Sequence, residues 1–498
     1  MRTLEEVLEK HPPPFFNTAG QPCGFEPLQV EDINTLASMG RALGDLPVGF
    51  GKTGISTYSS MMLEPDVTVI VMPPILQVQW KKWLESIPGD VGRVLIYSGT
   101  PKERKGFDLS HYRWICISYG ILRNDFERLS KAFSSIRLHT IVDECQEMKS
   151  YKSKLYECVK ELTEGRTIFQ LSGTPVSWPG DIYSYVKLHS PEVYRTNAQF
   201  EAIHVAKRDF FDKPTEWREL DLMQKNFSMR RVYRSKEEVH SDLPKANYIP
   251  IYYDLDPEHM ALYKELMTVQ LLELGDGTKI DASTAQTLYH NAQQIITSWG
   301  YFASDPTKVS RVFELIDEIC NEIGIDQLVE ERALLGLGPA SKLILWTAYT
   351  RTSGEVQSYM DRKLSEYTHA VGKKRVSKQL YSMAAYSGAD SKKSVAAFLD
   401  DPLCVSLVAN PASAGAGLNP QGVCNECIFV ETPTRTIKFV QAAGRIDRKG
   451  QRFNPNIRLF IARGTIQETL LKNLLSNDDE VVRASGTATS IRELIFPR

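Results

Sequence analysis

Gly49-Phe50-Gly51-Lys52-Thr53 packs two glycines, a lysine and a hydroxyl into five residues. Glycines let backbone N–H groups approach a polyphosphate closely. A lysine there reaches the β- and γ-phosphates, and Thr53 can put its hydroxyl on Mg²⁺. The strict pattern G-x-x-x-x-G-K-[ST] is not met, because Leu46 holds the first glycine position. Further on, Thr140-Ile141-Val142-Asp143-Glu144 reads as an apolar strand ending in two carboxylates. Ligands of open α/β sheets sit at the carboxyl ends of strands. Asp143 there could hold Mg²⁺, and Glu144 could orient and deprotonate an attacking water. Each motif alone has a plain alternative, a glycine-rich turn or a solvated strand end. In one block they suit a nucleotide hydrolase. A third segment, Gln441-Ala442-Ala443-Gly444-Arg445-Ile446-Asp447-Arg448-Lys449-Gly450-Gln451, spaces Arg445 and Arg448 by three. On a helix they share a face, and two guanidiniums aimed at a nucleotide would stabilise transition-state charge.

These residues need strands and loops to position them. Apolar runs at Val67–Met72, Val94–Tyr97, Trp114–Ser118, His139–Val142 and Thr167–Ser172 alternate with helical patterns. The same rhythm returns at Leu343–Tyr349, Gln379–Tyr386, Cys404–Ala409, Glu426–Glu431 and Ile457–Ala462. This predicts an α/β protein with two parallel-sheet blocks. A segment at 1–24 precedes the first block, expected at 25–243. The second is expected at 244–498, after a hinge at Pro244. A stretch at about 256–338, helical in pattern and rich in acids, reads as an insertion on the second block. A helix is expected over Ile55–Leu63, with its N-terminus favouring anions.

The 498 residues are 42% hydrophobic and 24% charged, which excludes disorder as the main character. Eight scattered cysteines suit a reducing compartment. Cys424 and Cys427 form a lone CxxC without the second pair a zinc site needs, and read as small side chains at a strand start. No apolar run approaches the roughly 18 residues of a membrane span, and the N-terminus lacks a signal-peptide core. Trp80, Trp83 and Trp114 read as packing residues. The net charge of −2 argues against a broadly basic nucleic-acid footprint.

The order of motifs resembles helicase superfamily two. The loop, Asp143-Glu144, Leu171-Ser172-Gly173-Thr174-Pro175 and Gln441–Gln451 fall in the order of motifs I, II, III and VI. Finer features resemble its Swi/Snf-type branch. These are Pro27-Leu28-Gln29, Pro73-Pro74-Ile75-Leu76 through Gln79-Trp80, Ile117-Ser118-Tyr119-Gly120, and Met229-Arg230-Arg231 with Leu243-Pro244. Ser413-Ala414-Gly415-Ala416-Gly417-Leu418-Asn419 resembles motif V. The likeness runs from about Phe25 to Leu471. Two departures stand out. The acidic box reads Asp-Glu-Cys-Gln, where the family usually has Asp-Glu-Ala-His. Thr434-Arg435-Thr436 replaces the family's Trp-Asn-Pro.

The resemblance implies two RecA-like lobes, with the helical insertion on the second, closing on ATP and Mg²⁺. Gln29 would read adenine, and Gly49, Phe50, Gly51, Lys52 and Thr53 would cradle the phosphates. Thr53 and Asp143 would hold the metal. Glu144, Gln441, Arg445 and Arg448 would carry catalysis. Gln146, Ser172 and Thr174 would couple nucleotide state to lobe movement. Ser118, Tyr119, Ser413, Gly415, Gly417 and Asn419 would grip the backbone of duplex or branched DNA.

It implies a DNA-dependent ATPase that translocates on double-stranded DNA and remodels DNA structures or protein–DNA complexes, as in repair or recombination. A strand-separating helicase on DNA or RNA is the alternative, favoured by the missing Trp-Asn-Pro. A nucleotide-gated clamp without turnover ranks below both, because no catalytic residue is broken. The absence of histone-reading modules suggests a compact bacterial or viral member, acting in cytoplasm or nucleoid. The near-neutral charge then hides a segregated distribution. From Arg435 to Arg463 there are eight Lys or Arg and one acid, whereas acids gather in the insertion. That pattern predicts a confined DNA path with few phosphate contacts and salt-dependent affinity.

Overall fold

The computed structural model describes the chain apart from residues 17–20, 211, 270, 274–278, 282–284, 299–309, 327–341, 372–375, 387–390, 412–417, 435, 488–494 and 496–498. It divides into two compact units. The first comprises Met1–Ser241 with Asn477–Ala488, and the second Asp242–Ser476 with Thr489–Arg498. The end of the last helix therefore groups with the first unit, whereas a division at 243/244 assigns all of it to the second.

The first unit is built on a seven-stranded sheet. Its strands are β1 (Arg41–Asp45), β2 (Val67–Met72), β3 (Val94–Tyr97), β4 (Trp114–Ser118), β5 (Leu138–Asp143), β6 (Thr167–Ser172) and β7 (Arg231–Tyr233). Their order is β7-β1-β6-β5-β2-β4-β3, and every pairing is parallel. Helices cover both faces, so the central strands are apolar throughout rather than alternating. Val67, Val69 and Val71 feed one core cluster, and Ile70 and Met72 feed the other. Ile141 of β5 faces Ile70 of β2 and Phe169 of β6 in register.

Sequence pattern located β2 to β6 but missed β1 and β7. Both carry charge where an apolar run would be expected. Arg231 and Asp45 are buried, and Arg231 Nε donates to Asp45 Oδ2 at 3.0 Å. Burial pushes the Asp45 carboxyl up, and the neighbouring guanidinium opposes that shift. The pair neutralises itself across two adjacent strands, which lets charged residues enter a buried sheet.

The second unit has a six-stranded parallel sheet. Its strands are β8 (Asn247–Tyr253), β9 (Leu343–Trp346), β10 (Tyr381–Ala385), β11 (Cys404–Ala409), β12 (Glu426–Phe429) and β13 (Asn456–Ala462), in the order β8-β13-β12-β9-β11-β10. The strand that pattern missed, β8, contains Pro250, which is tolerated because β8 is an edge. The expected insertion contributes helices Pro257–Val269, Ala285–Thr297 and Arg311–Ile323, whose apolar faces join the unit's core. It also holds an antiparallel hairpin, Leu271–Glu273 with Lys279–Asp281, that a purely helical reading lacks. Residues 299–309 and 327–341 of that segment lie outside the described ones. Acids there are paired locally: Glu322 meets Arg458 at 2.7 Å and Asp317 meets Lys363 at 2.7 Å. Cys424 and Cys427 are buried thiols at the start of β12, as the plain reading expects.

Two predictions concern the first unit. Removing one partner of a buried pair strands the other charge. Arg231→Ala should therefore lower unfolding free energy by about 3–5 kcal/mol in urea titrations. His139 and His189 are fully buried, and burial lowers each pKa from 6.5 to about 3. Folded values below the unfolded value mean stability present above pH 6.5 and lost as pH falls toward 3. At pH 5 the loss should be about 2 kcal/mol per histidine. Melting of the wild type at pH 7.5 and 5, beside His189→Asn, checks the slope.

Candidate nucleotide site

Strand β1 ends at Asp45 and runs into Leu46 and Pro47, whose carbonyls receive Lys52 Nζ at 3.0 and 3.3 Å. Gly49 and Gly51 take φ of +87° and +90°, which L residues with side chains rarely adopt. Gly51 also permits a close approach, because a Cβ there would lie 2.9 Å from Gln29 Nε2. Gln29 sits on helix Pro27–Met39. Its Nε2 donates to Phe50 O at 2.8 Å, and its Oε1 accepts the Glu26 N–H at 2.9 Å. The amide expected to meet adenine thus braces the phosphate loop. Helix Lys52–Leu63 begins at the loop, three residues earlier than periodicity suggests, with Gly51 as its N-cap. Lys52 and Thr53 therefore stand at a positive helix terminus.

Two strands away in the sheet, Asp143 closes β5 and is buried. Its Oδ2 accepts Trp80 Nε1–H at 2.7 Å, and its Oδ1 accepts the Glu144 N–H at 3.0 Å. Burial first, then the Glu144 charge, push this carboxyl above its ordinary range, while Lys52 pulls it down. A divalent cation would relieve that cost. No group of three or more His, Cys, Asp or Glu able to hold a metal occurs among the described residues. Mg²⁺ does not need one, since it takes one or two protein oxygens with phosphates and water. The Asp143 carboxylate and Thr53 hydroxyl are hard oxygen donors of that kind.

Glu144 adopts φ +56° and ψ +50°, a left-handed conformation costing a non-glycine residue about 1–2 kcal/mol. The turn sends Gln146 back toward β6. Gln146 Nε2 donates to Glu144 Oε2 at 2.5 Å, and its Oε1 accepts Ser172 Oγ–H at 2.7 Å. Ser172 Oγ in turn accepts the Thr174 N–H at 3.0 Å. The Leu46 N–H donates to Ser172 O at 3.0 Å, returning the run to the loop. Gln146, Ser172 and Thr174 are thus brought together with Glu144.

Ser118 caps helix Tyr119–Ala132, its side chain accepting the Ile121 N–H. Tyr119 turns inward, and its hydroxyl donates to the carbonyls of Asp143 and Glu144. Trp80 and Tyr119 are the contributors that pattern reading undervalued. The signal was available for Trp80, because a buried indole must place its N–H on an acceptor.

In the second unit, helix Thr436–Ala443 carries Gln441 and ends before the arginines. Arg445 and Arg448 lie in the turns that follow, so they do not share a helix face. The cause is Gly444, after which Arg445 N and Ile446 N bond three residues back. Arg448 Nη1 donates to Asn419 Oδ1 at 2.6 Å, and burial lowers the arginine's pKa. Gln451 is buried and donates to Cys424 O and Ile446 O at 3.0 and 2.9 Å, anchoring the segment. Ser413, Gly415 and Gly417 lie outside the described residues.

A family model described as SNF2-related domain matches residues 33–298. The chain is 22% identical over 468 residues to "Chromodomain-helicase-DNA-binding protein 1-like" of Danio rerio, covering 91% of this chain and 43% of that protein. It is 24% identical over 470 residues to the Mus musculus protein of the same name, covering 90% and 48%. The chain thus spans under half the length of these relatives. It is also similar to a solved structure described as "Sulfolobus solfataricus SWI2/SNF2 ATPase core in complex with dsDNA". Identity there is 18%, coverage 95% of this chain and 96% of that one, and TM-score 0.39.

The Gln146 bridge yields a test. Gln146→Ala should slow nucleoside triphosphate turnover about 10- to 100-fold, with KM for nucleotide within about 2-fold. Steady-state phosphate release measures both quantities, and Gln146→His should recover part of the rate.

Proposed function

The chain belongs to the SNF2-related domain family, and from that premise we propose that it hydrolyses ATP when bound to DNA and translocates along the duplex. The observation that carries this reading is the hydrogen-bonded run from the Lys52 loop through Ser172 and Gln146 to Glu144. Lys52 leaves its loop carbonyls for the β- and γ-phosphates, which offer a charged acceptor in place of two neutral ones. Thr53 and Asp143 would hold Mg²⁺, which would supply neutralisation of phosphate charge. Glu144 orients the attacking water and takes its proton, and Gln146 fixes the carboxylate for that task. Arg445 and Arg448 supply the positive charge that phosphoryl transfer requires. Burial already makes the Arg448 cation costly, and an anionic ligand would offset that cost.

DNA is the proposed partner, held through its phosphates and therefore without sequence preference. Asn419 against Arg448 supports a role of the motif V segment in linking that grip to the arginines. The substitution of Thr434-Arg435-Thr436 for Trp-Asn-Pro favours strand separation as a second reading. No helix among the described residues is long and apolar enough to cross a membrane. Cytoplasm or nucleoid, where DNA is accessible, is the proposed place of action.

Lys52→Ala and Glu144→Gln should each reduce DNA-stimulated ATP hydrolysis by at least about 100-fold, while circular dichroism stays native. Unchanged turnover in both would refute the assignment. Rates on single-stranded, duplex, forked and four-way DNA and on RNA identify the stimulating ligand. Triplex displacement without strand unwinding is the expected outcome, and unwinding without triplex displacement would select the helicase reading.

A further inference from the structure

The first unit has a second concave surface, at the rim where its strands begin. A cavity of about 1000 Å³ lies there, between the end of helix Pro27–Met39, the starts of β1, β5 and β6, and the end of helix Asp181–His189. The length of β1 and β5 sets it roughly 15 Å from the Lys52 loop and Asp143, at about 3.3 Å per residue. Met39, Leu63, Leu138 and Leu188 give it an apolar wall. Seven of its lining residues are Lys or Arg and only one, Glu164, is an acid, so the wall carries a cationic excess.

The hydrogen bonds of this rim do not cancel that excess. Arg41, Arg166 and Lys187 direct their donors to backbone carbonyls. A neutral carbonyl satisfies a donor and leaves its charge in place. Arg137 has a carboxylate at 3.0 Å, on Asp66, but Arg230 meets Glu192 only at 4.0 Å. Lys160 and Arg195 have no side-chain hydrogen bond or ion pair among the described residues. The neighbours register the crowding. Burial, then Arg230, lowers the Arg41 pKa, and burial, then Lys160, lowers that of Lys187. Burial, then Arg230 and Arg41, keeps the fully buried His189 neutral. Like charges crowding a half-enclosed space are relieved by an anion.

The shape and the wall select the kind of anion. The volume suits a small molecule, and a duplex is too broad to enter it. No aromatic side chain lines the cavity, so nothing there stacks on a nucleobase. Guanidinium forks match phosphate oxygens, and bases spread over several segments need more than one phosphate to engage them.

We propose that this cavity is a second anion site, separate from the nucleotide site, for a small ligand bearing two or more phosphate groups. Arg230, Arg195 and Lys160 contact the phosphates, while Arg41 and Lys187 keep their carbonyls and supply positive field. The site does not depend on the ATPase reading.

The experiment is isothermal titration of tripolyphosphate, without divalent metal, into the full chain carrying Lys52→Ala, which removes the loop's hold on phosphate. Saturable binding close to one per chain is expected, weakening as salt rises. Adding Lys160→Glu and Arg195→Glu should lower affinity at least about 10-fold, since each charged hydrogen bond is worth about that factor. Both side chains are exposed and serve no carbonyl, and a thermal melt without ligand confirms folding. Lys102→Glu with Lys105→Glu makes the same charge change elsewhere on the unit and should leave affinity within about 2-fold. ATP should bind the Lys52→Ala chain within about 2-fold of tripolyphosphate, and inorganic phosphate at least about 10-fold more weakly. No saturable binding, or equal losses in the two double reversals, would overturn the site. Equal affinity for citrate would overturn the phosphate assignment. A labelled duplex weakened by Lys160→Glu and Arg195→Glu, in a chain that ignores tripolyphosphate, would make this face a DNA track and overturn the proposal.

Discussion

Glu144 must leave a straight, buried strand and turn within one residue, and the hydrogen-bonded run at the rim of the first sheet depends on that left-handed turn. An extended continuation of β5 would leave Glu144 and Gln146 on one face of the strand and carry Gln146 onward, instead of folding its amide back between the Glu144 carboxylate and Ser172. The turn is unfavourable for a residue with a side chain, so its neighbours must hold it. Asp143 Oδ1 accepts the Glu144 N–H, Tyr119 donates to its carbonyl, and Gln146 donates to its carboxylate. Three bonds from three directions fix backbone and side chain together. The strain sits at the residue proposed to orient the attacking water, with Asp143 buried beside it.

The opposite rim of the same sheet solves a different problem. There helices end and strands begin, so unpaired carbonyls accumulate. Arg41 Nη1 donates to Thr163 O at 2.7 Å and its Nε to Leu188 O at 3.1 Å. Lys187 Nζ reaches Tyr194 O and Arg195 O at 3.1 and 3.0 Å, and Arg166 Nη2 reaches Phe133 O at 2.7 Å. A cavity of about 1000 Å³ opens among these bases. Its positive character follows from the carbonyls it serves, for the same reason that helix C-termini attract cations. The two rims thus present backbone dipoles of opposite sign. One presents helix N-termini, as at Lys52, and the other presents carbonyls that arginine and lysine side chains satisfy.

The apolar strands were legible because burial on both faces leaves a continuous hydrophobic run, as in Val67–Met72. β1 and β7 were not, because Arg231 and Asp45 satisfy each other only in three dimensions. The phosphate loop and the acidic box were legible as local chemistry. The geometry between them was not, since a one-dimensional pattern cannot show Gln146 reaching Ser172, 26 positions on. Gln29 illustrates the same limit: its type was informative, but its partner, Phe50 O, is a backbone atom that carries no sequence signal. The arginine segment failed differently. Spacing of three assumes a helix, and Gly444 ends that helix one residue before Arg445.

Gln146 changes how the rim responds to its surroundings. A histidine at this position would be donor and acceptor in one tautomer and donor alone when protonated. Its bond to Ser172 would then depend on pH near neutrality. An amide offers N–H to Glu144 and oxygen to Ser172 at every physiological pH. The orientation is forced, because Glu144 can only accept when ionised and the Ser172 hydroxyl still has a proton to give. Ser172 Oγ accepts from Thr174 N–H and donates to Gln146, so each group in the run has one role. A run of fixed polarity transmits displacement rather than protons. The amide in place of histidine therefore makes the link between Glu144 and Ser172 one of fixed hydrogen-bond polarity, and under the proposed function proton transfer would fall to Glu144 alone.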